Sequence, residues 1–187
     1  MPSDSNYWDP IPAARATPEL LRPWGRGGRL VVRPAPEKFL LGQWEDRNWR
    51  NVPGPFYGAD TDTCEAGPPV ARRHVLADET GQEFVFRQPR TATEVESVLR
   101  AAWSDPFSGY GWDGHDRWSV QDIRAWWGER ARLREWATTY ADNEDAGPAL
   151  RDLIAYLDGD LESHLRDYMF WLEERRHATA GCVRPDL

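Results

Sequence analysis

The sequence predicts an α+β protein, with a small antiparallel sheet or hairpin in the N-terminal half packed with a C-terminal helical half. Three observations lead there. Apolar residues recur at steps of three and four only after residue 90, which is the helical period. The short strand-like runs all precede that point, and strands followed by helices without alternation argue against a doubly wound sheet. The chain has 187 residues, one domain's length and enough to bury a core without disulfides or metals.

Residues 1–28 read as an extended Pro/Gly-rich arm. Pro2, Pro10, Pro12, Pro18 and Pro23 remove backbone donors, and Gly25, Gly27 and Gly28 close the segment. Trp8 and Trp24 are its expected anchors, with a helical turn at 18–22. Residues 29–187 form the single α+β domain. Its first strand is Arg29–Arg33 (RLVVR), stopped by Pro34 and Pro36, and 38–44 (KFLLGQW) reads as strand or turn. Residues 45–69 are irregular, and a loop of that length inside a compact domain is functional or disordered. Trp49, Phe56 and Tyr57 argue against disorder. Residues 73–77 and 83–88 flank Asp78-Glu79-Thr80-Gly81, a hairpin signal with Gly81 available for positive φ. Its apolar/polar alternation predicts one solvated face.

Beyond Pro89 the period changes. Thr91 and Glu94 have capping-box spacing, and Val95, Val98, Leu99 and Ala102 share one helical face before Asp105-Pro106 stops it. After the irregular segment 106–117, Ser119 is the N-cap of a helix with Asp122 in its first turn. Its apolar face starts with Val120, Ile123, Trp126 and Trp127, with a break expected at Gly128. Leu133, Trp136, Ala137 and Tyr140 continue the spacing. A polar turn at 142–148 precedes Leu150, Leu153, Ile154, Leu157, Leu161, Leu165, Tyr168 and Leu172. Gly159, costing about 1 kcal/mol relative to Ala in a helix, predicts a break into two helices there. His164 and His177 fall on what reads as a solvated helix face, and 175–187 as an extended tail.

Eleven tryptophans in one short chain either pack into a few wide aromatic clusters or show some rings at a binding surface, with core packing the better account of most. Lys38 is the only lysine, so the positive charge is nearly all arginine. Residues 1–90 carry 12 basic and 12 acidic side chains, whereas 91–187 carry 11 and 19, placing the whole net charge of −8 in the second half. Within 141–167 lie Asp142, Glu144, Asp145, Asp152, Asp158, Asp160, Glu162 and Asp167 against Arg151 and Arg166 alone. Such a field disfavours nucleic acid and anionic membranes as partners of that half, and favours a basic partner or serves solubility alone. Two cysteines, Cys64 and Cys182, are too few for an all-thiolate metal site. No basic-plus-apolar leader opens the sequence and no apolar run approaches the ~20 residues of a membrane span, so a cytoplasmic location is expected.

Two loops concentrate the chemistry. The first, 54–67 (GPFYGADTDTCEAG), alternates Asp60, Asp62 and Cys64, which in extended backbone share a face. Paired carboxylates suit a hard cation. The loop lacks the calcium-binding offsets, and side-chain caps on backbone N–H groups are the better account. The second, 106–117 (PFSGYGWDGHDR), offers His115 between Asp113 and Asp116. If the loops meet, Tyr57, Asp60, Asp62, Tyr110, Trp112, Asp113 and His115 line one concave surface. The run 44–50 (WEDRNWR) interleaves Trp and Arg with zero net charge, which predicts arginine stacked on tryptophan within the protein rather than a nucleic-acid surface.

The runs NWRNVPGPFYGADTDTC at 48–64, RQPRT at 87–91 and YMFWLEE at 168–174 resemble an uncharacterised group of small Trp-rich proteins from high-GC bacteria. The resemblance implies no activity and no site residues.

The leading expectation is a non-catalytic protein-binding module, immunity- or antitoxin-like, inhibiting a basic partner. Tyr57, Tyr110, Trp112, Asp113, Asp152, Asp160 and Glu162 are its expected binding residues, with no cofactor and no metal. The alternative is an enzyme whose metal or small-molecule site is built from loops 54–67 and 106–117, with Asp60, Asp62 and His115 as catalytic residues.

Overall fold

The computed structural model describes residues 6–24, 29–179 and 181–187. It is α+β: small two-stranded antiparallel sheets in the N-terminal half, helices in the C-terminal half. The segment expected as an extended arm contains a short helix, α1 (Ile11–Arg15), and a strand, β1 (Leu20–Trp24). The expected helical turn at 18–22 is therefore replaced by strand. β1 pairs with β2 (Arg29–Arg33), with Leu21 opposite Val32 and Leu20 opposite Arg33. Pro23 suggested irregular chain, but proline is tolerated in a two-stranded edge, and Pro18 lies before β1 begins. Trp8 is the anchor it was expected to be, packing beside Ile11 and Ala14. Gly25, Gly27 and Gly28 lie outside the described residues, as does the Trp24 side chain.

The centre of the molecule is the hairpin β4 (Val75–Ala77) and β5 (Glu83–Val85), with Val75 opposite Val85. Gly81 makes its turn at φ +86°, as the sequence predicts. The expected solvated face is absent. Glu83, Phe84, Val85 and Phe86 are all fully buried, because both faces of the hairpin are covered. Val75 and Val85 pack with Val95, Val98, Leu99 and Ala102 of α3 (Ala92–Ser104). Leu76, Phe84 and Phe86 pack on the other side against Ile123, Leu133, Leu153, Leu165 and Tyr168. The period-2 geometry of a strand thus divides one hairpin between two apolar clusters.

The helices follow their caps. The Thr91 side chain accepts from Glu94 N to start α3. Ser119 and Asp122 form a reciprocal capping box on α5 (Val120–Gly128). α6 (Arg130–Tyr140) follows directly, and the break falls at Glu129, one residue after the expected Gly128, which ends α5. α7 (Gly147–Leu157) and α8 (Leu161–Glu174) are separated at Gly159. The described residues after Arg175 have no regular structure and lie back over the helices. Arg184 pairs there with the buried Asp167, and Arg124 Nε donates to Asp186 O at 2.7 Å. His164 is buried rather than on a solvated face. α8 turns it toward the core beside the Tyr7 ring, and desolvation, then the charge of Arg90, drives its imidazole down to about pKa 3. No helix among the described residues is long and apolar enough to cross a membrane.

Candidate functional site

The two irregular loops meet. β3 (Tyr57–Gly58) pairs with β6 (Tyr110–Gly111), and Leu40 bridges to Gly109 beside them. Ala59 N donates to Gly109 O at 2.8 Å and Gly114 N to Pro55 O at 3.1 Å. The Tyr57 hydroxyl donates to Asp113 Oδ1 at 2.6 Å, and Arg117 Nε reaches the other carboxylate oxygen at 2.8 Å. Burial, then the bond to Asp113 and its charge, push the Tyr57 phenol well up.

Beneath this seam lies a buried polar floor. Glu83 accepts from Gly67 N at 2.7 Å and from the Tyr110 hydroxyl. Burial raises its carboxyl to about 7, against the opposing pull of those two bonds. A Cβ at position 67 would lie 2.3 Å from Glu83 Oε2, which is why glycine starts the short helix α2 (Gly67–Val70). Asp105 takes the N–H groups of Asp62, Phe107 and Gly109 at 3.0, 3.1 and 2.6 Å. Asn51 serves Gly58 N and Val85 N with its oxygen, and Asn48 O and Gly58 O with its NH2. Loop backbone that cannot join a ladder is satisfied by side chains.

The expected concave surface does not form from these residues. Tyr57 and Tyr110 are buried at 1% and 0% exposure, and Trp112 and Asp113 are half-buried. Asp60 and Asp62 do not share a face. Asp60 is exposed, whereas Asp62 is buried and accepts from Cys64 N at 3.2 Å, an Asx turn. The chain bends here, since Thr61 is also buried, its hydroxyl accepting from Glu83 N. His115 belongs to another cluster. Its Nε2 lies 2.9 Å from Asp9 Oδ1, its Nδ1 3.1 Å from the Tyr168 hydroxyl, and its ring packs 4.4 Å from Trp171. Asp60, Asp62 and His115 thus have no common partner. Among the described residues no group of three or more His, Cys, Asp or Glu side chains is placed to hold a metal. Cys64 and Cys182 are both free thiols.

An open hollow of about 590 Å³ lies next to the first loop, lined by Asp46, Arg47, Asn48, Trp49, Arg50, Ala59, Asp60, Asp78 and Gln82. Its wall is the stacked run expected from WEDRNWR. Arg47 lies 3.9 Å over Trp44, and Arg50 lies between Trp49 at 4.9 Å and Trp136 at 4.7 Å. Arg132 covers Trp49 as well, at 4.1 Å. None of the tryptophans with described side chains is fully exposed, and arginines cover several of them. The expected display of tryptophan at a surface is corrected accordingly.

The acidic residues of the helical half divide in two. Asp152 pairs with Arg87 at 3.1 Å, Asp158 with Arg134 at 2.9 Å and Glu162 with Arg166 at 3.8 Å, while Asp167 pairs with Arg184. Asp142, Glu144 and Asp145 in the α6–α7 turn, and Asp160 before α8, are exposed and make no ion pair among the described residues. Sequence reasoning missed Asp9, Glu83 and Asp105. Their partners lie far off in the chain, and only the isolation of Asp105 beside a proline marked it as a stop. No family model, curated protein or solved structure matches the chain.

Proposed function

We propose that this chain acts by binding a basic protein partner, in the manner of an immunity protein or antitoxin, and has no chemistry of its own. The observation that carries the reading is the unpaired acidic turn between α6 and α7, where Asp142, Glu144 and Asp145 stand in solvent. Unpaired carboxylates on a chain of net charge −8 steer a basic partner and raise its association rate. Tyr140, 42% exposed at the end of α6, offers an aromatic contact beside them. Asp160 extends the acidic surface, while Asp152 and Glu162 contribute less because arginines already hold them. Cytoplasmic location and the absence of nucleic-acid or membrane partners belong to the same reading.

The test is titration calorimetry against the protein encoded beside this one, for the wild type and for the triple variant D142N/E144Q/D145N. Micromolar binding that weakens with added salt and with the triple substitution is expected. A triple variant that binds as tightly as the wild type overturns the acidic turn as the carrier.

A further inference from the structure

Three of the chain's four histidines meet the short segment ahead of α1. The Tyr7 ring is buried among His115, His164, Tyr168 and Trp171, with ring centroids 6.0, 5.8, 4.9 and 5.3 Å away. His177 Nδ1 donates to Tyr7 O at 2.8 Å. Asp9 Oδ1 accepts from His115 Nε2 and from Ile11 N, both at 2.9 Å. Against the lift of partial burial, these bonds and the charges of His115 and Arg15 hold the Asp9 carboxyl below its ordinary range, so it stays ionised in mild acid. His115 Nε2 therefore carries a proton, and its Nδ1 is the acceptor for the Tyr168 hydroxyl at 3.1 Å. His115, on the short helix α4 (Gly114–Arg117), thus has a partner at each nitrogen. His164 does not. Its Nε2 is buried without a partner, and after desolvation the charge of Arg90 is what opposes its protonation. Around it, Arg175 faces both Tyr7 and Tyr168, and Asp116 faces Tyr168. A second proton on His164 would place a charge and an unmet N–H beneath the Tyr7 ring.

We propose that residues 7–9 form an acid-released clasp: protonation of His164 lifts Tyr7 from its pocket and uncovers an aromatic groove lined by His115, Tyr168 and Trp171. With the clasp closed the His164 ring stays neutral. Once Tyr7 is lifted the ring meets water and takes a proton at its ordinary value of 6.5. Opening therefore takes up one proton, and the open fraction rises about tenfold for each pH unit below that value. His115 acts in the opposite sense, since a protonated ring holds the Asp9 carboxylate as an ion pair. The moving unit is short. Ile11 and Ala14 keep α1 packed with Val95 and Val98 of α3, and Trp8 packs beside them as the pivot. The clasp goes beyond the basic-partner reading and does not depend on it.

The test is an NMR titration of the full chain from about pH 7 to about pH 4.5, following the four imidazoles and the amides of residues 7–9. The amides of Tyr7, Trp8 and Asp9 are expected to move toward unfolded-chain positions while those of β4 and β5 keep their native ones, with His164 titrating in step. His164→Leu is expected to hold the clasp closed across the range. Tyr7→Ala is expected to let His164 titrate near its ordinary value. Asp9→Asn, which removes the ion pair that His115 can form, is expected to move release to higher pH. Circular dichroism melting checks that each variant folds, and if Tyr7→Ala does not, the wild type and His164→Leu decide the matter. The clasp is overturned if residues 7–9 keep native positions until the hairpin itself unfolds. It is equally overturned if His164→Leu releases them with the wild-type profile, or if a folded Tyr7→Ala leaves His164 neutral throughout.

Discussion

The loop half and the helical half of this molecule are held together by different means. Between residues 45 and 111 the elements are two to four residues long apart from α3, and their backbone is satisfied by buried side chains such as Asn51, Gln88, Asp105 and Glu83. Between residues 120 and 174 the backbone is satisfied within helices, and Leu133, Leu150, Leu153, Leu161 and Leu165 supply the cohesion. The first half depends on a few polar groups, each with several partners. The second depends on many apolar groups, each replaceable at moderate cost.

Asn51→Ala is the most direct way to break that contrast. It removes the side-chain acceptor of the buried Gly58 N and Val85 N, while the Asn48 and Gly58 carbonyls keep backbone donors, and at about 1–3 kcal/mol for each unmet group the expected loss is about 4 kcal/mol. Urea unfolding measures it. Leu153→Ala, a fully buried residue in α7, is expected to cost about 3 kcal/mol through lost burial and a cavity. If Leu153→Ala proves clearly worse than Asn51→Ala, the contrast is wrong.

Each half also buries a titratable group whose pKa is strongly displaced, and the two act in opposite senses. Burial raises Glu83 from 4.5 to about 7, so its ionisation favours the unfolded chain, and stability falls as pH rises through that window. Burial lowers His164 from 6.5 to about 3, so its protonation favours the unfolded chain, and stability is lost as pH falls from 6.5. Between about 4.5 and 6.5 the two slopes, each about 1.4 kcal/mol per pH unit, oppose each other. Glu83→Gln is expected to make stability climb with pH across that range, and His164→Leu to make it decline, as read by melting temperature against pH. Equal profiles for both variants would contradict the assignment. The smallest effect belongs to Arg134→Ala, which removes an exposed ion pair with Asp158 and is expected to leave the unfolding midpoint unchanged.

The helical half was legible in the sequence because its determinants are local. The apolar spacing, the Ser119–Asp122 cap and the glycines at 128 and 159 all act within a turn or two of where they stand. The β4–β5 hairpin was legible from its turn residues, but its second buried face was not. Only the packing of α3 on that side removes it from water. β1 was masked by prolines, and β3 and β6 are two-residue pairings fixed by the tertiary meeting of loops. The candidate site was legible as composition and not as arrangement. Asp9 reaches His115 across 106 positions, and Asp152 is neutralised by Arg87 from 65 positions away. The hollow at Asp46 and Asp60 is likewise a product of chain crossing, with walls drawn from three separate segments.

The short strand β5 is a party wall. Phe84 leans into one apolar room and Val85 into the other, so neither has an inner surface of its own to close against. Cutting the chain between the rooms would leave each fragment with an open side, and heating the intact chain is expected to take both down in one transition. A disturbance on either side of that wall is therefore felt on the other without any hinge or moving part.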